Sequence, residues 1–153
     1  MGIGIRGERN RIMTDRTPIC ELTLPIRWGD QDAMGHVNNT VYFRYFEQCR
    51  ISWFEAMGIF AGPDGEGPIL VSASCNFRRE LVYPGSVVVR QYLGEFGTSS
   101  FETYLELGRT DEPGTVFADG TARIVWVDFP KRRSAPLPAH VKTQILRPRG
   151  ALV

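Results

Sequence analysis

The chain has 153 residues, and its 18 lysines and arginines nearly balance 17 aspartates and glutamates, for a formal net charge of +1. This length predicts one domain with a sizeable core, and the balanced charge gives no basis for general nucleic-acid binding. The three cysteines lack C-x-x-C spacing, which argues against a disulfide framework or a zinc site and fits a reducing cytoplasm. No segment is apolar enough to span a membrane, and the first residues lack the apolar core of a signal peptide.

The first part of the chain predicts a tail followed by a strand. Residues 1–16 mix glycine, arginine and polar residues without periodicity, which indicates a disordered tail. A loose alternation of apolar residues over residues 18–28 predicts the first strand. We expect a single domain over residues 17–145 and a short second tail over residues 146–153.

A polar loop follows this strand and opens directly into an aromatic-rich helix. The loop contains two aspartates, a histidine and two asparagines, at Asp30, Asp32, His36, Asn38 and Asn39. From Val41 onward, apolar residues recur at helical spacing on a wide face, which is typical of a helix covered by other structure. Asn38 or Asn39 is suited to cap its first turn, and Gly58 to end it. Polar groups at a helix N-terminus favour the binding of negative charge.

Alternating apolar residues predict four further strands after the helix. They are expected over residues 69–78, 86–96, 99–109 and 115–128. The first of them places odd-numbered apolar residues from Ile69 to Phe77 on one face, and Gly120 in the last is expected to mark a β-bulge. A sheet with one apolar face and a single long helix to cover it belongs to the α+β class.

The segment after residue 128 is basic. Its lysines and arginines, which include Arg132 and Arg133, are not accompanied by any acidic residue. One interpretation is a solvated basic tail. The other is a cationic patch for phosphate groups, because the arginine side chain binds phosphate through two parallel N–H donors. Arg78 and Arg79, at the end of a predicted strand, suit this second role equally well.

The loop and helix together carry a motif. The string D-x-D-x-x-G-H-V-N-N, followed by aromatic residues and E-x-x-R, is formed by Asp30, Asp32, Gly35, His36, Val37, Asn38, Asn39, Tyr42, Glu47 and Arg50. It resembles the hotdog-fold thioesterases, especially the 4-hydroxybenzoyl-CoA and acyl-CoA thioesterase branch. The resemblance extends to about Leu137. It implies a hotdog fold, in which a five-stranded antiparallel sheet wraps around one long central helix, and a homodimer or homotetramer. It also implies an acyl-CoA substrate, with coenzyme A as the only cofactor-like group and no metal.

The same resemblance assigns roles within the loop. Asp32 matches the family's catalytic aspartate, which acts as nucleophile or as general base for water. The backbone N–H of Asn39 is expected to face the thioester oxygen. His36 is expected to hold the substrate carbonyl, the leaving thiolate or the loop itself. Glu47 is a second-ranked catalytic candidate, and its spacing also allows it to pair with Arg50 across the helix.

Further residues are expected to bind the substrate. Tyr42 lies beside the loop in sequence and is a candidate for contact with the acyl group. Arg78, Arg79, Arg132 and Arg133 are the candidates for the phosphates of coenzyme A.

Two other function classes stay open. Hotdog hydratases and dehydratases pair an aspartate with a histidine five residues later, and here that position is Gln31 before His36. A non-catalytic acyl-CoA-binding module is the second alternative, against which the retained Asp32 counts.

The open edges of a five-stranded sheet further favour pairing with a second copy, because the strand over residues 69–78 has little protective charge.

Overall fold

The computed structural model describes residues 17–60 and 62–147. The predicted first tail, residues 1–16, therefore lies outside the described residues, as do residues 148–153 of the predicted second tail. The described chain forms six strands and two α-helices. The strands are β1 (Cys20–Pro25), β2 (Glu66–Phe77), β3 (Ser86–Phe96), β4 (Ser100–Arg109), β5 (Ala118–Asp128) and β6 (Arg133–Ser134). The helices are α1 (Asn39–Ala56) and α2 (Ala139–Leu146), and a 3₁₀ turn (Trp28–Asp30) precedes α1.

The strands form one sheet in the order β1-β3-β4-β5-β2, and the two-residue β6 pairs with β5. Every pairing is antiparallel. The buried face of α1 joins apolar residues of β3, β4 and β5 in one continuous core. The predicted α+β class and the antiparallel five-stranded sheet around one long helix are therefore confirmed, with β6 as a short addition. Within the described residues, no helix has the length and apolar character needed to cross a membrane.

Two aromatic contacts fix the direction of α1 relative to the strands. Near its start, the Tyr42 ring meets the Phe77 ring edge-on, with 5.0 Å between the ring centroids. Near its end, the Trp53 ring meets the Phe101 ring with 5.9 Å between the centroids. Phe77 lies opposite the first residue of β5, and Phe101 lies opposite the middle of that strand. The helix therefore runs along the strands, and its N-terminus lies where β2 ends and β5 begins.

The prediction of one apolar face for β2 is wrong. A β-bulge between Leu70 and Ser72 shifts the register of β2 against β5. As a result, Leu70 and Ala73 both face α1, although an odd spacing separates them, and Ile69 faces the opposite side. An inserted residue leaves no trace in a pattern of period two, so the alternation in the sequence did not reveal it.

The prediction of a bulge at Gly120 is also wrong. Gly120 pairs regularly with Cys75 on one side and Leu105 on the other. A Cβ atom at this position would collide with the carbonyl oxygen of Ser74 and lie 3.1 Å from the Phe46 ring. The glycine is therefore required mainly by the close approach of the β2 backbone at Ser74, with the Phe46 ring of α1 as a second near neighbour, and not by an irregular strand.

Candidate active site

A buried tyrosine ties the polar loop to α1. The Tyr45 hydroxyl donates to Asp30 Oδ2 at 2.7 Å, and the backbone N–H of Arg27 donates to the same oxygen at 2.8 Å. The carbonyl oxygen of Asp30 accepts from the backbone N–H of Asn38 at 2.9 Å. Burial and then the adjacent Asp30 carboxylate raise the pKa of Tyr45 far above its usual range, so this hydroxyl stays protonated as a donor.

The Asp32 carboxylate lies where the loop reverses. Its Oδ1 accepts from the backbone N–H of Met34 at 2.9 Å, and its Oδ2 accepts from Asn38 Nδ2 at 3.4 Å. The backbone N–H of Asp32 donates to the carbonyl of His36 at 2.9 Å, and Gly35 adopts the positive φ of 79° that this turn uses. Asp32 is exposed, so its carboxylate is oriented by the loop and remains accessible to water or substrate.

Asn38 caps α1 and leaves one backbone donor available. Its Oδ1 accepts from the backbone N–H of Thr40 at 2.9 Å and from the Thr40 hydroxyl at 2.6 Å. Its carbonyl oxygen accepts from the N–H of Val41 at 2.9 Å. The N–H of Asn39, the residue between Asn38 and Thr40, has no hydrogen-bond partner within residues 17–60 and 62–147. This donor and the positive end of the helix dipole together suit an oxyanion.

His36 links the loop to the segment after β2. Its Nε2 lies 3.2 Å from Glu80 Oε2, and the backbone N–H of Val37 donates to the carbonyl of Leu81 at 2.7 Å. In the described part of the chain, no hydrogen bond joins the side chains of His36 and Asp32. The aspartate–histidine pair that hydration chemistry would use is not formed there.

A pocket of about 180 Å³ opens between α1 and the sheet. It is lined by Thr40, Phe43, Arg44, Phe46, Glu47 and Arg50 from α1 and by Leu70, Ala73, Leu105, Thr121 and Ala122 from β2, β4 and β5. The helix residues recur at intervals of three and four, so they share one side of α1. The pocket therefore follows the helix from its first turn, next to the available N–H of Asn39.

Glu47 pairs with Arg44 and not, as the spacing had suggested, with Arg50. Arg44 Nη1 donates to Glu47 Oε1 at 2.8 Å. Arg50 is only 6% exposed, and burial lowers the pKa of its guanidinium. Both arginines lie three residues from Glu47, on opposite sides. The exposed Arg44 reaches the carboxylate with less loss of hydration, which is why spacing alone gave the wrong partner.

The predicted phosphate-binding arginines lie at two different ends of β2. Arg78 and Arg79 directly follow its last residue, and Arg78 donates to Asp119, whose carboxylate raises the pKa of Arg78. Arg133 begins β6, which pairs with the end of β5 that lies opposite the first residue of β2. The 12 residues of β2 span about 36 Å at a rise of about 3.3 Å per residue. Within one chain, Arg132 and Arg133 therefore do not form one patch with Arg78 and Arg79.

Other residues lie differently from what the sequence suggested. Tyr42 is only 3% exposed and packs beneath the loop against Phe77. Tyr45 and Glu80 contact the loop but were missed. Tyr45 was counted with the apolar helix face, and nothing in the sequence marks Glu80 as a partner of His36. In residues 17–60 and 62–147, no cluster of three or more His, Cys, Asp and Glu residues is placed to hold a metal ion.

Comparison with known proteins gives a family and a set of similar structures. A family model of the thioesterase-like superfamily matches residues 26–145. The PA2801 protein from Pseudomonas aeruginosa, a candidate thioesterase, has 36% identity and a TM-score of 0.79, over 84% of this chain and 99% of that one. Slr0204 from Synechocystis, a 1,4-dihydroxy-2-naphthoyl-CoA thioesterase, has 19% identity and a TM-score of 0.75, over 82% of this chain and 94% of that one, which shows the fold alone.

A curated relative matches over a shorter stretch. The uncharacterized protein YsmA of Bacillus subtilis (strain 168) is 30% identical over 57 residues, which make up 37% of this chain and 39% of that protein. The match thus spans less than half the length of this relative. The family model is more extensive, since it includes the Asp32–Asn39 loop, α1, all strands except β1, and most of α2. The chain therefore belongs to the thioesterase-like superfamily and has the hotdog fold.

Proposed function

We propose that this protein is a thioester hydrolase that acts on acyl-CoA or aroyl-CoA thioesters and releases the free acid and coenzyme A, with Asp32 as its catalytic carboxylate. The observation that carries this assignment is the double contact of Asn38. One side chain caps α1 through Thr40 and also holds Asp32 at 3.4 Å. It thereby joins a carboxylate to the helix turn in which the N–H of Asn39 has no partner among the described residues.

This arrangement supplies the two parts that thioester hydrolysis needs. The carbonyl oxygen of the substrate accepts from the N–H of Asn39, and this contact strengthens as negative charge develops on that oxygen. Asp32 either attacks the carbonyl carbon, giving an acyl-enzyme anhydride that water hydrolyses, or takes a proton from an attacking water. In both routes the carbon–sulfur bond breaks and the thiolate of coenzyme A leaves.

Two observations favour coenzyme A as the carrier of the acyl group: a similar protein is a candidate acyl-CoA thioesterase, and an arginine lies near the catalytic loop. A candidate acyl-CoA thioesterase from Xanthomonas campestris is 27% identical with a TM-score of 0.70, over 79% of this chain and 100% of that one. Arg79 follows the last residue of β2, at the end of the strand that lies near the Asp32–Asn39 loop. Its side chain has no ion-pair partner among the described residues. It is therefore available to contact a phosphate group.

Glu47 is the alternative catalytic carboxylate. It lines the pocket that begins at the first turn of α1. Side chains on a helix lean toward its N-terminus, so the Glu47 carboxylate is directed back toward Asn39. Its ion pair with the exposed Arg44 would have to loosen for it to act as a base or nucleophile.

Thiol release from a panel of acyl-CoA thioesters tests the proposal. We expect Asp32→Asn to fold normally and to lose about a hundredfold in turnover, because an amide can neither attack as an anion nor accept a proton. Glu47→Gln is the matched control, with an expected loss of less than about tenfold. If the large loss appears in Glu47→Gln instead, the catalytic role belongs to Glu47.

The same panel separates the other function classes. Hydration or dehydration of the acyl group without thiol release would indicate a hydratase, and binding without either reaction would indicate a binding module. The contact of His36 with Glu80 gives hydration little support.

A further inference from the structure

Three buried polar side chains lack partners in the core. Apart from aromatic residues, the buried polar side chains of the described chain are Arg50, 6% exposed, and Gln91 and Thr103, both 0% exposed. The polar side-chain atoms of Gln91 and Thr103 make no hydrogen bond. The Arg50 guanidinium likewise has no hydrogen-bond or ion-pair partner within residues 17–60 and 62–147. Buried polar groups are nearly always paired, so three unpaired groups in one region suggest a missing ligand.

The sheet register brings these groups to one place. Gln91 pairs with Leu105, and Thr103 pairs with Ala122. Leu105 and Ala122 both line the pocket beside α1, and Arg50 lines the same pocket from the helix. The small alanine side chain helps to leave this space open. Gln91 and Thr103 therefore lie next to residues that line the cavity, and Arg50 lines the cavity itself.

The charges of the pocket leave one positive charge uncompensated. Arg44 and Glu47 form an ion pair at 2.8 Å and neutralise each other. Arg50 then remains as the single unbalanced charge among the residues that line the pocket. An arginine keeps its proton even when it is buried, so it bears the cost of desolvation until an anion approaches. A carboxylate that enters the pocket would remove this cost and form charge-assisted hydrogen bonds.

The pocket also has a suitable position and size. It starts at Thr40, beside the proposed oxyanion donor, and ends at Arg50. These ends are separated by about 15 Å of helix, and the lean of the arginine side chain toward the helix N-terminus shortens the gap. A volume of about 180 Å³ is many times the roughly 10–15 Å³ that a cavity needs to hold one water, so the pocket has room for a short acyl chain.

We propose that Arg50 determines specificity by binding a carboxylate at the far end of the acyl group, so that the substrate is the coenzyme A monothioester of a short dicarboxylic acid. This inference rests on the proposed thioesterase function. A chain of three methylene groups and one carboxylate beyond the thioester carbonyl fits within the volume of the pocket. The dipoles of Gln91 and Thr103, which neighbour lining residues of the pocket, add polar surroundings for the bound charge.

Two probes of equal shape test this assignment. Glutaryl-CoA carries the terminal carboxylate, and 5-methylhexanoyl-CoA is its uncharged isostere. We expect the wild-type protein to prefer glutaryl-CoA in kcat/KM by about tenfold or more, because a site built for a polar group rejects an analogue that lacks it. Arg50→Met should abolish this preference, Arg50→Lys should retain part of it, and Arg123→Met, on an exposed arginine of β5, should leave it unchanged.

Binding measurements separate this inference from the proposed function. Calorimetric titration of Asp32→Asn protein with both probes reports affinity without cleavage, and tighter binding of glutaryl-CoA would support the Arg50 site even if no thioester were hydrolysed. Equal affinity and equal kcat/KM for the two probes would overturn it. A second result would also overturn it: an Arg50→Met protein that dissociates into monomers but still prefers glutaryl-CoA. In that case the partner of Arg50 would be a second copy of the chain.

Discussion

The Tyr45 hydroxyl lies on the buried face of α1 and reaches Asp30 of the loop. It donates to Asp30 at 2.7 Å, although Tyr45 itself is only 6% exposed. Asp30 in turn holds the backbone of Arg27 and Asn38 on either side of Asp32. The position of the proposed catalytic carboxylate thus depends on a hydrogen bond made some distance from the substrate.

Removal of this hydroxyl should therefore affect both stability and activity. We expect Tyr45→Phe to lower the free energy of unfolding by about 1–3 kcal/mol, since it leaves the partly buried Asp30 carboxylate with the backbone N–H of Arg27 as its remaining donor. We also expect a lower kcat with little change in KM, because Asp32 is displaced while the substrate-binding groups remain. Urea denaturation and thiol-release assays measure the two effects. Tyr104→Phe, whose hydroxyl has no hydrogen bond in the described chain, is the control and should match the wild-type protein.

Single residues were predictable where a motif marks them. The spacing of Asp32, His36 and Asn39 pointed to the loop, and the structure brings that loop to the first turn of α1. The environment of Arg50 was not predictable, because its burial and its lack of a partner depend on strands that are distant in sequence. Side-chain reach and the cost of desolvation decided that Glu47 pairs with Arg44 and not with Arg50. Neither of these factors can be read from the spacing of the residues.

At the level of elements, the N-terminus of α1 combines a structural cap with a functional contact. Asn38 Oδ1 caps the helix, and Asn38 Nδ2 holds Asp32. An aspartate is as good a cap as an asparagine, whereas an alanine cannot cap at all. Substitutions at this one position can therefore separate the two contributions.

We expect Asn38→Ala to lower the free energy of unfolding by about 1 kcal/mol and Asn38→Asp to leave it nearly unchanged. Both should reduce turnover, because both remove the donor to Asp32. The new carboxylate in Asn38→Asp also places a like charge beside Asp32. Turnover should therefore fall further in Asn38→Asp than in Asn38→Ala. Wild-type activity in Asn38→Ala would show that the bond to Asp32 is dispensable.

The elements themselves were largely predictable, and their irregularities were not. Hydrophobic periodicity located α1 and the five main strands, because their buried faces repeat with the helical or strand period. Asn38 and Gly58, whose φ is 68°, mark the ends of α1 as expected. The bulge between Leu70 and Ser72 and the tight approach at Gly120 could not be read from one strand, since each arises from two paired strands.

At the level of the whole molecule, β2 is an open edge with exposed apolar side chains. It is the last strand in the sheet order, and the exposed large apolar residues on it are Ile69, Leu70, Val71 and Phe77. An unprotected edge of this kind favours pairing with another strand. We propose that two chains pair antiparallel along β2 about a two-fold axis.

Such pairing would also reunite the separated arginines. Two antiparallel copies of β2 place the first residues of one strand beside the last residues of the other. Arg132 and Arg133 of one chain would then lie near Arg78 and Arg79 of the partner chain, and near the partner's Asp32–Asn39 loop. Each site would take its catalytic carboxylate from one chain and part of its phosphate-binding charge from the other.

This arrangement predicts complementation between two defective variants. The double variant Arg132→Glu/Arg133→Glu should have a raised KM for acyl-CoA and an unchanged rate on small thioesters that lack the nucleotide. Mixed with Asp32→Asn chains and allowed to exchange, it should recover about a quarter of wild-type activity, since about half of the dimers are mixed and each has one intact site. If Arg132 and Arg133 serve their own chain, no mixed dimer contains an intact site and the activity does not recover. Sedimentation equilibrium at low micromolar concentration checks that dimers are present, and a fully active monomer there would contradict the shared site altogether.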